Sequence, residues 1–193
     1  MIDTYSRGYF KTLFILISKF FLSLGLKPIH ITIFALVIGI VGAFCFYIEY
    51  HFTSLALLWL SGLMDALDGE MARLSDQTSQ KGALLDIFFD RIVEIAYIFA
   101  FIGTATTESL LVLSVSIILS MSVFLTVGAM STKQSKKAFY YQAGLIERTE
   151  AFILFSLMII FAQFSTYIAY LFALLILVTV FQRLKEALTI LEN

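Results

Sequence analysis

Residues 65–90 read DALDGEMARLSDQTSQKGALLDIFFD, with aspartates at 65, 68, 86 and 90. Long apolar runs lie on either side. A spacing of three puts Asp65 and Asp68 on one helix face, and a spacing of four does the same for Asp86 and Asp90. The intervening LSDQTSQKG is polar and can turn the chain. Two adjacent antiparallel helices would then aim four carboxylates into one gap. Crowded carboxylates repel one another and take up protons unless a counter-charge is supplied. All-oxygen donors suit the hard cations Mg²⁺ or Mn²⁺ rather than zinc, and the stretch contains no His or Cys. Two such ions about 3.5–4 Å apart would serve displacement at phosphorus by stabilising both the entering and the leaving oxygen. A lone carboxylate at a helix end is usually solvated, which is the expectation for Asp76. Asp86, Asp90, Arg91 and Glu94 entering an apolar helix together imply a lined cavity or paired charge, and Arg91 and Glu94 have i,i+3 spacing.

The rest of the chain sets the medium. Of its 193 residues, 60% are hydrophobic and 14% charged, and the mean hydropathy is +0.94. Soluble domains run nearer about half apolar and about a quarter charged. The expected fold is therefore all-α, a bundle of six transmembrane helices in an integral, multi-pass membrane protein. The apolar segments fall at approximately 30–49, 52–74, 82–103, 109–131, 149–163 and 166–185, against roughly 20 residues per crossing. Residues 3–24 mix Arg7, Lys11 and Lys19 with bulky aromatic and aliphatic side chains, the pattern of an amphipathic helix lying in the interface. Gly25 and Pro28 then punctuate the chain, as a helix stop and a helix start. One proline and ten glycines leave little linker, so 1–193 reads as a single domain. Cys45 is the only cysteine, which excludes an intramolecular disulfide and a thiolate metal cluster. The charged N-terminal region lacks the pattern of a signal peptide.

All thirteen Lys and Arg residues fall on one side of the six-span layout, or within reach of it. The opposite connections hold Glu49, His51 and Glu108. The positive-inside rule then places both termini and the aspartates on the cytoplasmic side. Membrane lipids are expected partners and nucleic acid is not. His30 and His51 are not expected to be catalysts, His30 being an interfacial residue and His51 lying on the side away from the aspartates.

From Asp65 to Asp90 the text runs D-x-x-D-G-x-x-A-R, then eight residues, then G-x-x-x-D-x-x-x-D. This resembles the signature of the CDP-alcohol phosphatidyltransferases, integral membrane phospholipid synthases. The resemblance implies an enzyme in which an alcohol attacks the diphosphate of a CDP-linked lipid, releasing CMP and forming a phosphodiester. It implies CDP-diacylglycerol or an ether-lipid equivalent as donor. The acceptor would be a small polar alcohol, phosphorylated or not, such as glycerol phosphate or inositol phosphate. By resemblance Asp65, Asp68 and Asp86 hold two Mg²⁺ or Mn²⁺ ions, and Asp90 contributes to the metal site and acts as general base. Gly69, Ala72, Arg73 and Gly82 join Asp65 and Asp68 around the cytidine diphosphate. PIHIT at 28–32 is similar to the family's P-N-x-x-T element, which makes Thr32 a nucleotide candidate, although Ile29 replaces the asparagine.

GLIERTE at 144–150 resembles the R-x-E-R element of members that use inositol phosphate. Arg148 and Glu150 match, and Ala151 stands where the second arginine would be. Lys133, Lys136, Lys137 and Arg148 are the acceptor-binding candidates, while the lysines equally suit anionic lipid headgroups. A homodimer is implied by the family alone. Two other readings use the same aspartates. One transfers a phosphoalcohol from CDP-choline or CDP-ethanolamine to diacylglycerol. The other is a cation channel or transporter, disfavoured because no acidic series continues toward the opposite face.

Overall fold

Helix boundaries fall where the sequence is punctuated. Pro28 occupies the first turn of a helix, where its missing N–H costs nothing, and His30 Nδ1 accepts the Lys27 backbone N–H at 3.3 Å. Ser79 caps another helix by accepting the Gly82 N–H at 3.1 Å. At the other ends, left-handed residues stop three helices. Gly25 has φ +76°, and bonds from Leu26 N to Phe21 O and from Gly25 N to Leu22 O close a Schellman turn. Glu49 (φ 66°) does the same at the next helix end, and Asp76 (φ 52°) at the one after, with Gln77 N donating to Ala72 O at 3.0 Å. Asp76 is exposed, as expected, and is also the turning residue of the polar connection.

The computed structural model describes residues 2–130 and 144–191. Among the described residues there are seven α-helices and no strands: α1 (Ile2–Ser23), α2 (Pro28–Tyr47), α3 (His51–Leu74), α4 (Gln80–Ala100), α5 (Thr107–Met130), α6 (Arg148–Ile160) and α7 (Ser165–Leu191). Short 3-10 turns occupy Phe101–Gly103 and Ala162–Phe164. Each expected apolar segment holds one helix, and the N-terminal helix forms. The count of apolar crossings differs. Among the described residues, the helices long and apolar enough to cross a membrane are three: Pro28–Tyr47, Thr107–Met130 and Ala162–Thr189. α3 and α4 have the length, but α3 carries Asp65, Asp68, Glu70 and Arg73, and α4 carries Lys81, Asp86, Asp90, Arg91 and Glu94. α6 has only 13 residues. α7 also runs past the expected end at 185, to Leu191.

Exposed apolar side chains line these helices: Phe34, Val37 and Val41 on α2, Leu111, Val115 and Ile118 on α5, Leu174 and Phe181 on α7. Such surfaces would aggregate in water and are the ordinary outer face of a protein solvated by lipid. The chain is an integral membrane protein.

Two compact units divide the chain, Thr4–Phe101 and, with the first three residues, Ile102–Asn193. In the first, α2 packs against both α3 and α4. Gly39 makes this possible: a Cβ there would lie 2.6 and 2.8 Å from the methyls of Val93 on α4 and 3.0 Å from Ser61 Oγ on α3. Ser61 donates in turn to the Ala35 carbonyl of α2 at 2.7 Å. Small residues at such crossings let backbones approach where no hydrophobic drive toward a water-excluded core exists. α1 packs Phe14, Ile17 and Phe21 around buried Ile31, Leu67 and Met71. In the second unit, α5 packs on α7 and α6 on α7. Thr106 N donates to Thr166 Oγ1 at 3.0 Å at one end of the α5–α7 pair, and Arg183 reaches Ser120 Oγ at 3.0 Å further along. Gly39→Leu should prevent α2 from seating against α3 and α4, so that little monodisperse protein is recovered in detergent. Wild-type yield and melting temperature would contradict this role for Gly39.

Candidate metal and nucleotide site

Asp65 and Asp68 lie in the last turns of α3, and Asp86 lies in the second turn of α4. Leu67 and Met71, fully buried against α1 and Ile31, fix how α3 is rotated. The Ser79 cap sets where α4 begins, and so how far along it Asp86 stands. Both helices share α2 as a packed neighbour. The result brings Asp65, Asp68 and Asp86 together: one carboxylate oxygen from each lies within 4.8 Å of the others. Asp68 is 7% exposed, and Asp65 and Asp86 are half-buried. Three carboxylate oxygens at this spacing are the donor chemistry of a hard divalent cation. Asp90, also half-buried, stands one turn further along α4 and is not in that set of three.

Around the triad, Gly69 follows Asp68 and presents bare backbone. Only Arg73 side-chain nitrogens approach the place of a Gly69 Cβ, at 3.6 and 4.0 Å. Arg73 is bonded to Glu70 through Nε (3.1 Å) and Nη2 (2.6 Å). Ala72 is half-buried, and Gly82 is exposed in the first turn of α4. Thr32 is buried, and its hydroxyl donates to the Pro28 carbonyl at 3.1 Å. Arg91 and Glu94 form the ion pair that their spacing suggested. Cys45 is half-buried on α2. His51 stacks on Phe46 with ring centroids 4.8 Å apart, a packing role at the start of α3.

In the other unit, Arg148 opens α6, with its guanidinium 5.7 Å from the centre of the Phe152 ring. The Glu147 N–H donates to Glu150 Oε2 at 3.2 Å, so an acidic side chain already serves this positive helix end. Leu145 N and Ile146 N are held by Gln182 Oε1 and Thr179 Oγ1, both at 2.9 Å. Lys133, Lys136 and Lys137 lie outside the described residues. Arg183 was legible only as a flanking charge. The structure buries it (8% exposed), 5.3 Å from the Phe124 ring centre and bonded to Ser120. The sequence signal available was the line of serines on α5, Ser109, Ser116 and Ser120.

Helices with lipid-facing apolar surfaces and three convergent carboxylates define a membrane protein suited to a divalent cation and a charged substrate. The chain belongs to the CDP-alcohol phosphatidyltransferase family, whose profile matches residues 26–182. It is thus a transferase of phospholipid synthesis, in a family dependent on divalent metal. It is 28% identical over 179 residues to the inner membrane protein YnjF of Escherichia coli, covering 88% of this chain and 86% of that one. It is 30% identical over 135 residues to a phosphatidylinositol phosphate synthase of Mycobacteroides abscessus, covering 67% of this chain and 60% of that protein. Its fold is similar to the crystal structure of Mycobacterium tuberculosis phosphatidylinositol phosphate synthase with CDP-DAG bound. The TM-score is 0.74 at 24% identity, over 92% of this chain and 94% of that one. The same protein has been crystallised with manganese and citrate.

Proposed function

We propose that the protein transfers the phosphatidyl group of CDP-diacylglycerol to a small alcohol that carries its own phosphate, at a site facing the cytoplasm. The observation that carries this reading is the convergence of Asp65, Asp68 and Asp86 within 4.8 Å. These three would hold Mg²⁺ or Mn²⁺, two ions by analogy with the family, with Asp90 at the edge of the site. Bound there, such ions neutralise diphosphate charge and acidify a hydroxyl. The acceptor oxygen attacks the phosphorus that bears diacylglycerol, the bond to CMP breaks, and Asp90 takes the hydroxyl proton. Gly69, Ala72 and Gly82 leave room for the cytidine diphosphate, with Thr32 at its margin, and Arg73 faces its charge. α3, α4 and α6 complete six crossings: the polar residues of α3 and α4 face a lined site instead of lipid. The whole chain acts as one catalytic domain and pairs with a second copy.

Arg148 is the proposed contact to the acceptor's phosphate. The resemblance of residues 144–150 supports it, as does the relative named a phosphatidylinositol phosphate synthase. With Glu150 serving the α6 N-terminus, the guanidinium supplies the positive charge that an anion would meet there. The test is a panel of acceptors (glycerol phosphate, inositol phosphate, inositol, serine and glycerol) with radiolabelled CDP-diacylglycerol. A phosphorylated member should be consumed as CMP appears. Turnover only with CDP-choline or CDP-ethanolamine plus diacylglycerol would overturn the donor assignment. Arg148→Ala should raise KM for the phosphorylated acceptor about tenfold or more, since a charge-assisted bond is lost, and spare an uncharged one. Equal effects on both would remove Arg148 from the acceptor site.

A further inference from the structure

We infer that Glu70 is a positioning residue for the donor: it holds the Arg73 guanidinium over Gly69, ready to meet the diphosphate. This rests on the proposed use of a CDP-lipid donor. Glu70 occupies one of the open positions of D-G-x-x-A-R, so the motif itself gives it no task. In the structure a single carboxylate oxygen, Oε2, accepts from both Nε (3.1 Å) and Nη2 (2.6 Å) of Arg73. That contact occupies one edge of the guanidinium and leaves the Nη1 side to face Gly69. There Nη1 lies 3.6 Å from the place a Cβ would occupy, beside the residue that follows Asp68.

The two partners differ in exposure. The Arg73 side chain is 55% exposed and that of Glu70 15%. The long, outward arginine is therefore steered by the better-packed glutamate. Exposed i,i+3 pairs add little to fold stability, so the consequence of this one is orientation. A rotamer-rich side chain fixed in advance removes part of the ordering cost of binding, on the order of three- to tenfold in affinity. The pair also offsets the charge of Glu70, which alone would repel a diphosphate.

The experiment uses the full chain in detergent with Mn²⁺, and measures both CDP-diacylglycerol binding and the kinetics of CMP release. Glu70→Ala should raise the donor Kd and KM about three- to tenfold, with kcat within about twofold of wild type and an unchanged melting temperature. Glu70→Gln keeps an acceptor oxygen and should restore most of the affinity. In an Arg73→Ala background, Glu70→Ala should cause no further loss and should recover some affinity, since an unpaired Glu70 repels the diphosphate. An unchanged or lowered donor KM in Glu70→Ala overturns the inference, and so does an equal effect in the Arg73→Ala background. If wild type itself binds no CDP-diacylglycerol, the donor reading falls and this inference falls with it. If wild type binds and Glu70→Ala matches it, only the role of Glu70 is lost.

Discussion

Asp90→Asn should abolish turnover while leaving the CDP-lipid bound. Asparagine matches aspartate in size but cannot take a proton, so the acceptor hydroxyl loses its base. General-base catalysis contributes typically ~10²–10⁴-fold, and a loss of that order in CMP release is expected. Donor affinity should change little, because the convergent triad is Asp65, Asp68 and Asp86, with Asp90 one turn away. Equilibrium binding and single-turnover CMP release measured on the same preparation separate the two quantities. A variant with near wild-type rates would exclude Asp90 as the base. A parallel collapse of donor binding would make Asp90 a part of the metal site first.

Asp68→Asn should lose metal binding as well as turnover. Asp68 is the most buried of three carboxylates whose oxygens lie within 4.8 Å of one another. With no cation present those charges oppose one another, so removing one should leave the metal-free protein as stable as wild type or more so. Wild type should gain stability as Mn²⁺ is added, by about 2.7 kcal/mol at a hundredfold excess over Kd. The variant should lose that gain together with its activity. Thermal melting across a Mn²⁺ titration reads both effects. A variant that still gains wild-type stability from Mn²⁺ would show that Asp68 is not a ligand.

The two variants bear on parts of the site that differed in legibility. Asp65, Asp68 and Asp86 could be read directly, because i,i+3 and i,i+4 spacing fixes a shared face on any helix. Glu70 and Arg73 have the i,i+3 spacing of a pair, but which edge of the guanidinium the glutamate holds could not be read, since a rotamer is chosen by neighbours in space. Thr32 could be read as a hydroxyl, but the bond it makes to the Pro28 carbonyl could not. The burial of Arg183 against Ser120 and Phe124 could not be read, because it depends on how α5 packs on α7. By length and apolarity, three helices among the described residues can cross a membrane, and the charges within α3 and α4 keep those two out of that set.

What the sequence determined by itself is the medium, the helix punctuation at Gly25 and Pro28, and the candidate ligands Asp65, Asp68 and Asp86. Hydropathy, caps, left-handed stops and helical spacing are local properties and need no tertiary context. Only the tertiary structure decided that α2 is the common neighbour of α3 and α4. The reason is steric: at Gly39 there is no side chain to hold Val93 and Ser61 away. That close approach, with Leu67 and Met71 fixing the rotation of α3, brings Asp65 and Asp68 on one helix and Asp86 on another into one cluster.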